Sequence, residues 1–220
     1  MTYLVSDLIG EVQDKLGDTS FSPASLLNYA NNTNRDIHTK HDLTYMQTSQ
    51  TFTTTANSDT LGDIPDDLLN AYNLRLTDKQ YARKLTFWTF DKFDTHYPQP
   101  SLTAPSIPIL WYNYGGLLKI YPAASQPTNL TGYGAELRYR LKPTGLTKLT
   151  DTPNVPEEFR EVMFLGMMKQ AMERRQRYDV SQLLDQQYQD RLLDLVGSYG
   201  NGALQDSDPY IMPISSYGLN

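Results

Sequence analysis

The chain of 220 residues contains no cysteine. It therefore cannot form a disulfide framework, a thiolate metal site or a cysteine nucleophile. It also lacks a long apolar run. Its first eighteen residues, MTYLVSDLIGEVQDKLGD, carry neither a leading positive region nor a hydrophobic stretch, so we predict neither a signal peptide nor a membrane span. The expected compartment is soluble and reducing.

Basic residues are scarce as well. Nineteen Lys and Arg stand against 25 Asp and Glu, which gives a net charge of −6. The charge divides as −3 over residues 1–44, +1 over 45–155, −2 over 156–199 and −2 over 200–220. No segment is basic enough to make binding of DNA phosphates the main task of the chain.

Two helices are predicted at the start of the chain. Over residues 3–16, apolar side chains recur at helical spacing, and Gly17 follows where a glycine commonly ends a helix. A second helix, roughly 23–40, begins with Ser22 as N-cap and Pro23 at the first helical position.

Two more helices are predicted near the end of the chain. One starts around Pro156-Glu157-Glu158, where a proline and two carboxylates suit a helix N-terminus. The last begins near Asp179 and carries one apolar stripe. The stripe consists of Val180, Leu184, Tyr188, Leu192, Leu195 and Tyr199.

The middle of the chain has the residue pattern of β-strands, with many Thr and aromatic residues and period-two alternation. The predicted strands are 45–55, 60–64, 73–76, 81–85, 109–112, 117–121 and 136–142. Thr86 is expected to cap a short helix, and Gly115-Gly116 to form a tight hairpin turn. The strand at 136–142 has one apolar face and one mostly cationic face.

These elements predict an α+β fold: a four-helix body, made of two N-terminal and two C-terminal helices, with a central antiparallel β-rich insertion and an extended C-terminal tail. We place a single domain at 1–199, helical over 1–42 and 156–199 and β-rich over 43–155. The tail, 200–220, is too short to build its own core, so its apolar residues dock on the rest of the chain or on a partner. We favour a partner.

Candidate catalytic and metal-binding residues are few. His38 and His41 lie three residues apart, but no third ligand of zinc spacing is near, so we interpret them as a polar helix end. The chain contains no G-x-S-x-G nucleophile elbow for which His96 could act as the catalytic base. The carboxylates of Asp66-Asp67 and Glu157-Glu158 each lie at the start of a turn or helix, where they can interact favourably with exposed backbone N–H groups. We predict no enzyme, no metal and no cofactor; a hydrolase using Asp66, Asp67 or the histidine pair is the third alternative.

Two groups of residues are candidates for partner contacts. Arg174, Arg175 and Arg177 form the densest basic run, which suits a helix C-terminus or a contact with an acidic partner or DNA phosphate. The candidates for docking on a partner lie at or after the end of the last helix. They are Tyr199, Tyr210, Ile211, Met212, Pro213, Ile214 and Tyr217.

Five short motifs follow one another along the chain. They are Leu8-Ile9 with Leu16-Gly17-Asp18, Leu26–Asn31, Gly116–Ala123, Leu130–Arg140 and Pro156–Arg174. In this order they resemble the first two helices, the hairpin strand, the following strand and the long helix of the head-to-tail adaptor (connector) proteins of tailed bacteriophages. The resemblance is strongest over residues 116–178.

The resemblance implies a structural virion protein, made in the host cytoplasm, that forms a ring of twelve copies at the head–tail interface. The ring would join the portal to the tail and surround the DNA channel. The implied partners are the portal protein, neighbouring copies and a downstream tail or nozzle protein, with DNA passing through without sequence-specific binding and with no membrane contact. The seven partner-docking residues from Tyr199 to Tyr217 then become candidates for binding the portal or a neighbouring subunit, and we call them the portal-contact candidates. The alternative is a tail or fibre-attachment protein whose aromatic β module, residues 87–139, binds a receptor or glycan.

Overall fold

The structure, a computed structural model, describes residues 3–17, 21–126 and 132–200. Over these residues the fold is α+β, with five α-helices and a seven-stranded sheet. In chain order the elements are α1 (Val5–Leu16), α2 (Pro23–Lys40), β1 (Gln47–Thr53), β2 (Thr60–Asp63), β3 (Leu68–Leu76), β4 (Arg83–Phe87), α3 (Phe90–His96), β5 (Leu110–Tyr114), β6 (Leu117–Tyr121), β7 (Gly134–Leu141), α4 (Arg160–Arg174) and α5 (Tyr178–Tyr199).

The described residues separate into two compact units. Those before Gln47 and after Lys142 contain α1, α2, α4 and α5, and we call them the helical unit. Residues 47–142 contain the seven strands and α3, and we call them the β unit. None of the helices in the described part of the chain is long and apolar enough to cross a membrane.

The predicted capping residues mark the end of α1 and the start of α2, whereas α1 begins at Val5, two residues after the predicted start. At the end of α1, Gly17 has φ 57°, and its N–H donates to the carbonyl of Gln13. At the start of α2, the Ser22 hydroxyl accepts a hydrogen bond from the Ser25 N–H at 3.2 Å. The predicted bounds of α2, 23–40, are confirmed.

Helix α4 packs against α1, α2 and α5. Its buried side chains are Val162, Met163, Leu165, Met167, Met168 and Ala171. Gly166 lies where the neighbouring helices come closest, because a Cβ atom there would be 2.5 Å from Cγ2 of Thr33 on α2 and 3.2 Å from Cε2 of Tyr188 on α5. A side chain at this position would force the helices apart.

Two asparagines of α2 hold the segment that follows the β unit. The Asn31 side chain bonds both the N–H and the carbonyl of Leu146. Asn34 donates to the carbonyl of Thr144 and to Oδ1 of Asn154, each at 3.1 Å. These bonds fix residues 144–154 against α2 without any regular secondary structure.

The strands of the β unit follow the order β1-β7-β3-β4-β5-β6-β2. All neighbours are antiparallel except β4 and β5, which pair in parallel through Thr86 with Leu110 and Phe87 with Trp111. The prediction of an antiparallel insertion is wrong at this pair. Thr86 extends β4 and does not cap a helix; Thr89 is the N-cap of α3. Parallel neighbours need a crossover connection, which α3 and the following loop provide.

The sheet curls around an apolar interior. A Cβ atom at Gly62, on β2, would lie 3.0 Å from the ring of Phe52 on β1, so the two edge strands approach each other. The buried cluster inside consists of Leu61, Leu74, Leu76, Leu85, Trp111, Leu118, Ile120, Ala124, Tyr133, Ala135, Leu137 and Tyr139. The predicted hairpin between β5 and β6 is confirmed, with positive φ at Gly115 and Gly116.

Candidate functional site

The two histidines of α2's C-terminal end do not form an exposed polar pair. His38 is buried, with Nδ1 2.6 Å from the carbonyl oxygen of Asn34 and Nε2 2.9 Å from the hydroxyl of Tyr45. Burial lowers the pKa of His41, while Asp36 acts in the opposite direction. Our interpretation of the pair as a polar helix end is therefore wrong for His38, whose imidazole is an internal hydrogen-bonding group.

The other candidate catalytic groups make structural contacts within their own units. Nδ1 of His96 lies 2.9 Å from the carbonyl oxygen of Lys92. The Asp67 carboxylate accepts a hydrogen bond from the Tyr139 hydroxyl at 3.0 Å. In the ranges that the structure describes, no three His, Asp or Glu side chains stand close enough together to hold a metal ion.

Tyr199 is the one portal-contact candidate that the structure describes. Its hydroxyl donates to Oε1 of Glu158 at 2.5 Å, and its ring meets the rings of Tyr45 and Phe159 edge-on, at 5.2 and 6.0 Å between centroids. The hydrogen bond raises the pKa of Tyr199 and lowers the pKa of Glu158. The end of α5 is thereby fixed beside the start of α4.

The start of the described chain reaches the same place. The guanidinium of Arg160 lies 5.7 Å from the ring centroid of Tyr3, and its Nη2 donates to Oε2 of Glu11 at 2.6 Å. Burial raises the pKa of the Tyr3 hydroxyl. Tyr3 and Tyr199 thus both contact residues 158–160.

The remaining portal-contact candidates lie outside the described residues. They are Tyr210, Ile211, Met212, Pro213, Ile214 and Tyr217. The last described residue, Gly200, donates its N–H to the carbonyl of Val196 at 2.7 Å and forms an antiparallel bridge with Leu43. The point at which the predicted tail begins is therefore fixed next to Leu43.

The candidate arginines belong to the turn between α4 and α5. Arg174 donates to the hydroxyls of Ser25 and Tyr29, at 3.3 and 3.5 Å. Arg174 and Arg175 both lie over the ring of Phe21, at 5.8 and 5.2 Å from its centroid, and Nε of Arg177 is 3.5 Å from the Asp179 carboxylate. These contacts within the helical unit favour a role at the helix ends.

The turn itself is a Schellman motif. The N–H of Gln176 donates to the carbonyl of Glu173, and the N–H of Arg177 to that of Met172. Gln176 has φ 58°, the left-handed conformation that glycine adopts most readily. This geometry positions the three arginines along the turn.

A partly exposed segment of the β unit without charged residues was missed by our reading of the sequence. From Tyr97 to Leu118 the chain has no Asp, Glu, Lys, Arg or His. Residues 98–106 are all exposed, and Leu102, Ile109 and Tyr114 are exposed to 78, 45 and 54%. We call residues 97–118 the neutral segment. The absence of charge is visible in the sequence.

Most aromatic side chains near this segment are packed inside the β unit. The Phe93 ring of α3 stacks on Tyr112 at 4.1 Å between centroids, and Phe90 stacks on Tyr114 at 4.3 Å. Burial raises the pKa of Tyr112 to about 12. The aromatic density of residues 87–139 is thus largely core packing; Phe87 and Tyr114 are half exposed.

The comparisons with known proteins give one result at the level of a family. The model of a family described as SU10 adaptor protein matches residues 1–213. The match covers both units and continues past the last described residue. Among curated proteins, none matches this chain.

Proposed function

This chain belongs to the SU10 adaptor protein family, a family of structural bacteriophage proteins, and we propose that it forms the ring that joins the portal to the tail. The family match over residues 1–213 is the observation that carries the proposal. Twelve copies at the head–tail interface would surround the DNA channel, after synthesis in the host cytoplasm. Their partners would be the portal protein, each other and a downstream tail or nozzle protein. The role needs no catalysis and no cofactor.

The neutral segment supports a role in binding other proteins. The core of a protein interface is depleted in charged residues and contains apolar anchors. Leu102 and Ile109 are large apolar side chains on a stretch of 22 uncharged residues, and both are exposed. We assign this segment to the contact with the portal or with the next tail component.

The test is to mix the purified chain with portal rings of the same phage and to image the mixture by electron microscopy. We expect a second ring on the portal axis. Leu102→Asp combined with Ile109→Asp should fold normally but lose attachment to the portal or to the tail component. Leu183→Asp, at a leucine of α5 that is 58% exposed, is the matched control and should keep both contacts. A chain that neither binds the portal nor occurs in virions refutes the proposal.

The tail is proposed as a second contact. Its apolar cluster, Tyr210 to Ile214, follows a fixed starting point at Gly200. A chain that ends at Gly202 should remain folded, because α5 and its buried stripe end at Tyr199, before the deletion, and should attach more weakly to the portal or to a neighbouring copy. Full-length Tyr210→Ser with Ile214→Ser should show the same loss. An unfolded truncated chain would place the cluster in the subunit's own core instead.

The alternative function, a tail or fibre-attachment protein that binds a receptor, is favoured by the half-exposed Phe87 and Tyr114. Aromatic faces of this kind can stack on sugars. Glycan-array binding by the isolated chain that is lost in Tyr114→Ala would support it. Attachment to portal rings without glycan binding would count against it.

A further inference from the structure

A cationic groove lies on the outer side of the β unit, far in sequence from the arginines of the α4–α5 turn. Its volume is about 510 Å³. The residues that line it are Asn73, Arg75, Leu76, Thr77, Ala82, Arg83, Lys84 and Arg138. Half of them are cations and none is acidic.

Strand register explains why these charges are adjacent. Arg75 on β3 pairs with Lys84 on β4, and Asn73 pairs with Arg138 on β7. Side chains of such directly opposite residues are about 5 Å apart at Cβ, and like charges so placed repel each other. Strands β3, β4 and β7 together carry five cations and one acid, Glu136.

Glu136 offsets only part of this repulsion. Its carboxylate accepts hydrogen bonds from Nε of Arg75 at 2.7 Å and from Nε of Arg138 at 3.3 Å. Both guanidiniums stay accessible, with 41 and 46% of their side-chain surface exposed. Within the described part of the chain, neither Arg83 nor Lys84 has an acidic partner. Folding therefore leaves an excess of about three positive charges at one solvent-accessible place.

The lining favours a phosphate backbone over an acidic protein. Protein partners are held mainly by aromatic and other large anchors in buried pockets, and this groove has none, since its one large apolar residue, Leu76, is 1% exposed. Phosphates are held by the residue types that are present: Arg, Lys, Asn and Thr. The lining also contains no aromatic side chain on which a base of a single strand could stack.

We propose that this groove binds the phosphates of double-stranded DNA without reading its sequence. The proposal does not depend on the assembly into a ring, and it reverses what the net charge of −6 suggests for the chain as a whole. With about three phosphates neutralised, the logarithm of the affinity falls with the logarithm of salt concentration with a slope of about −2.7, so affinity drops about 40-fold between 50 and 200 mM salt.

The test measures binding of the full-length chain to a fluorescent 30-base-pair duplex by anisotropy over that salt range. Arg83→Gln with Lys84→Gln should bring the slope to about −0.9 and weaken binding most at low salt. Lys15→Gln with Lys148→Gln removes the same net charge from exposed lysines of the helical unit and is the control. Circular dichroism verifies that both variants fold.

The proposal holds if the groove variant loses the steep salt dependence and the control keeps it. It is overturned if the wild-type chain does not bind the duplex at 50 mM salt. It is also overturned if both double variants lose affinity equally, because binding would then depend only on the net charge of the chain. Equal affinity for poly-glutamate, with the same loss in the groove variant, would identify an acidic protein as the ligand. Tighter binding of single-stranded than of duplex DNA would also overturn it.

Discussion

The helical unit and the β unit distribute charge in different ways. The residues of the helical unit, 1–46 and 143–200, include ten basic and fifteen acidic side chains, a net charge of −5, and cations often lie next to acids, as in Lys169–Asp185 at 2.7 Å and Arg160–Glu11 at 2.6 Å. The β unit has nine basic and eight acidic side chains, yet its cations gather on three strands while most acids lie elsewhere. A near-neutral unit can therefore contain a strongly cationic surface.

The units also differ in how they pack. In the helical unit, α4 meets α2 and α5 at a residue without a side chain, Gly166. In the β unit, a curled sheet encloses leucines and large aromatic rings such as Trp111 and Tyr133. The centre of the helical unit thus depends on the missing side chain of Gly166, and the interior of the β unit on large side chains.

A charged substitution in the buried stripe of α5 should have the largest effect on the free energy of unfolding. Leu195 is fully buried, whereas Leu193 on the same helix is 68% exposed. Leu195→Asp removes a core side chain and buries a charge, so we expect the free energy of unfolding to fall by at least about 4 kcal/mol. Leu193→Asp should change it by less than about 1 kcal/mol. Urea denaturation measures both, and equal effects would contradict the burial of this stripe.

Two glycines of the helical unit sharpen the contrast in packing. Gly166→Ala places a Cβ against Thr33 and Tyr188, so we expect a loss of about 2 kcal/mol in unfolding free energy. Gly10, inside α1, has no atom within 4 Å of its virtual Cβ. Gly10→Ala should therefore stabilise by about 1 kcal/mol through helix propensity. Thermal unfolding should show melting temperatures that move in opposite directions; stabilisation by both would exclude close packing at Gly166.

Substitution of Glu136 tests whether its interaction with Arg75 stabilises the β unit. The hydrogen bond from Arg75 lowers the pKa of Glu136 below its usual 4.5, so the carboxylate stabilises the fold above that pH and the contribution is lost as the pH falls through the lowered pKa. We expect Glu136→Gln to cost about 1 kcal/mol at pH 7 and progressively less as the pH falls below 4.5.

The control for that substitution is Glu161→Gln in the helical unit. Glu161 pairs with Arg191 at 2.8 Å, but both side chains are more than half exposed, so the expected cost is below about 0.5 kcal/mol. Denaturation at pH 7 and pH 3 compares the two. A Glu136→Gln cost that does not change with pH would mean that lost packing, and not charge, causes it.

The smallest expected effect is at the turn between α4 and α5. Gln176 has a left-handed backbone, which costs a side-chain-bearing residue about 1 kcal/mol relative to glycine. Gln176→Gly should therefore stabilise the chain by up to about 1 kcal/mol. Gln182→Gly, within α5, should destabilise it by about the same amount. Chemical denaturation measures the free energy of unfolding of both variants. Changes of the same sign would contradict the left-handed conformation of Gln176 in the turn.

Local signals made much of the fold predictable. Ser22-Pro23 and Gly17 mark helix ends by their own backbone chemistry, and Gly115-Gly116 marks a hairpin because few other residues adopt positive φ. The alternation of apolar and charged residues along 136–142 predicted the two faces of β7. In each case a few consecutive residues contain the whole signal.

What could not be predicted depends on partners that are distant in the chain. Thr86 has the residue type of a helix cap, but its pairing with Leu110 makes it part of a parallel strand. The burial of His38 depends on the hydroxyl of Tyr45, and the cationic groove exists only because β3, β4 and β7 are neighbours. Six of the seven portal-contact candidates lie beyond Gly200, and Tyr199 alone has a described position.

The meeting of Tyr3 and Tyr199 at residues 158–160 has a practical consequence for labelling. Fluorophores attached ahead of α1 and behind α5 would start from the same corner of the helical unit and report one location twice. A reporter for the β unit has to be inserted within the chain. Placed among the nine consecutive exposed residues 98–106, it would lie in the neutral segment and report on the contact proposed for that segment.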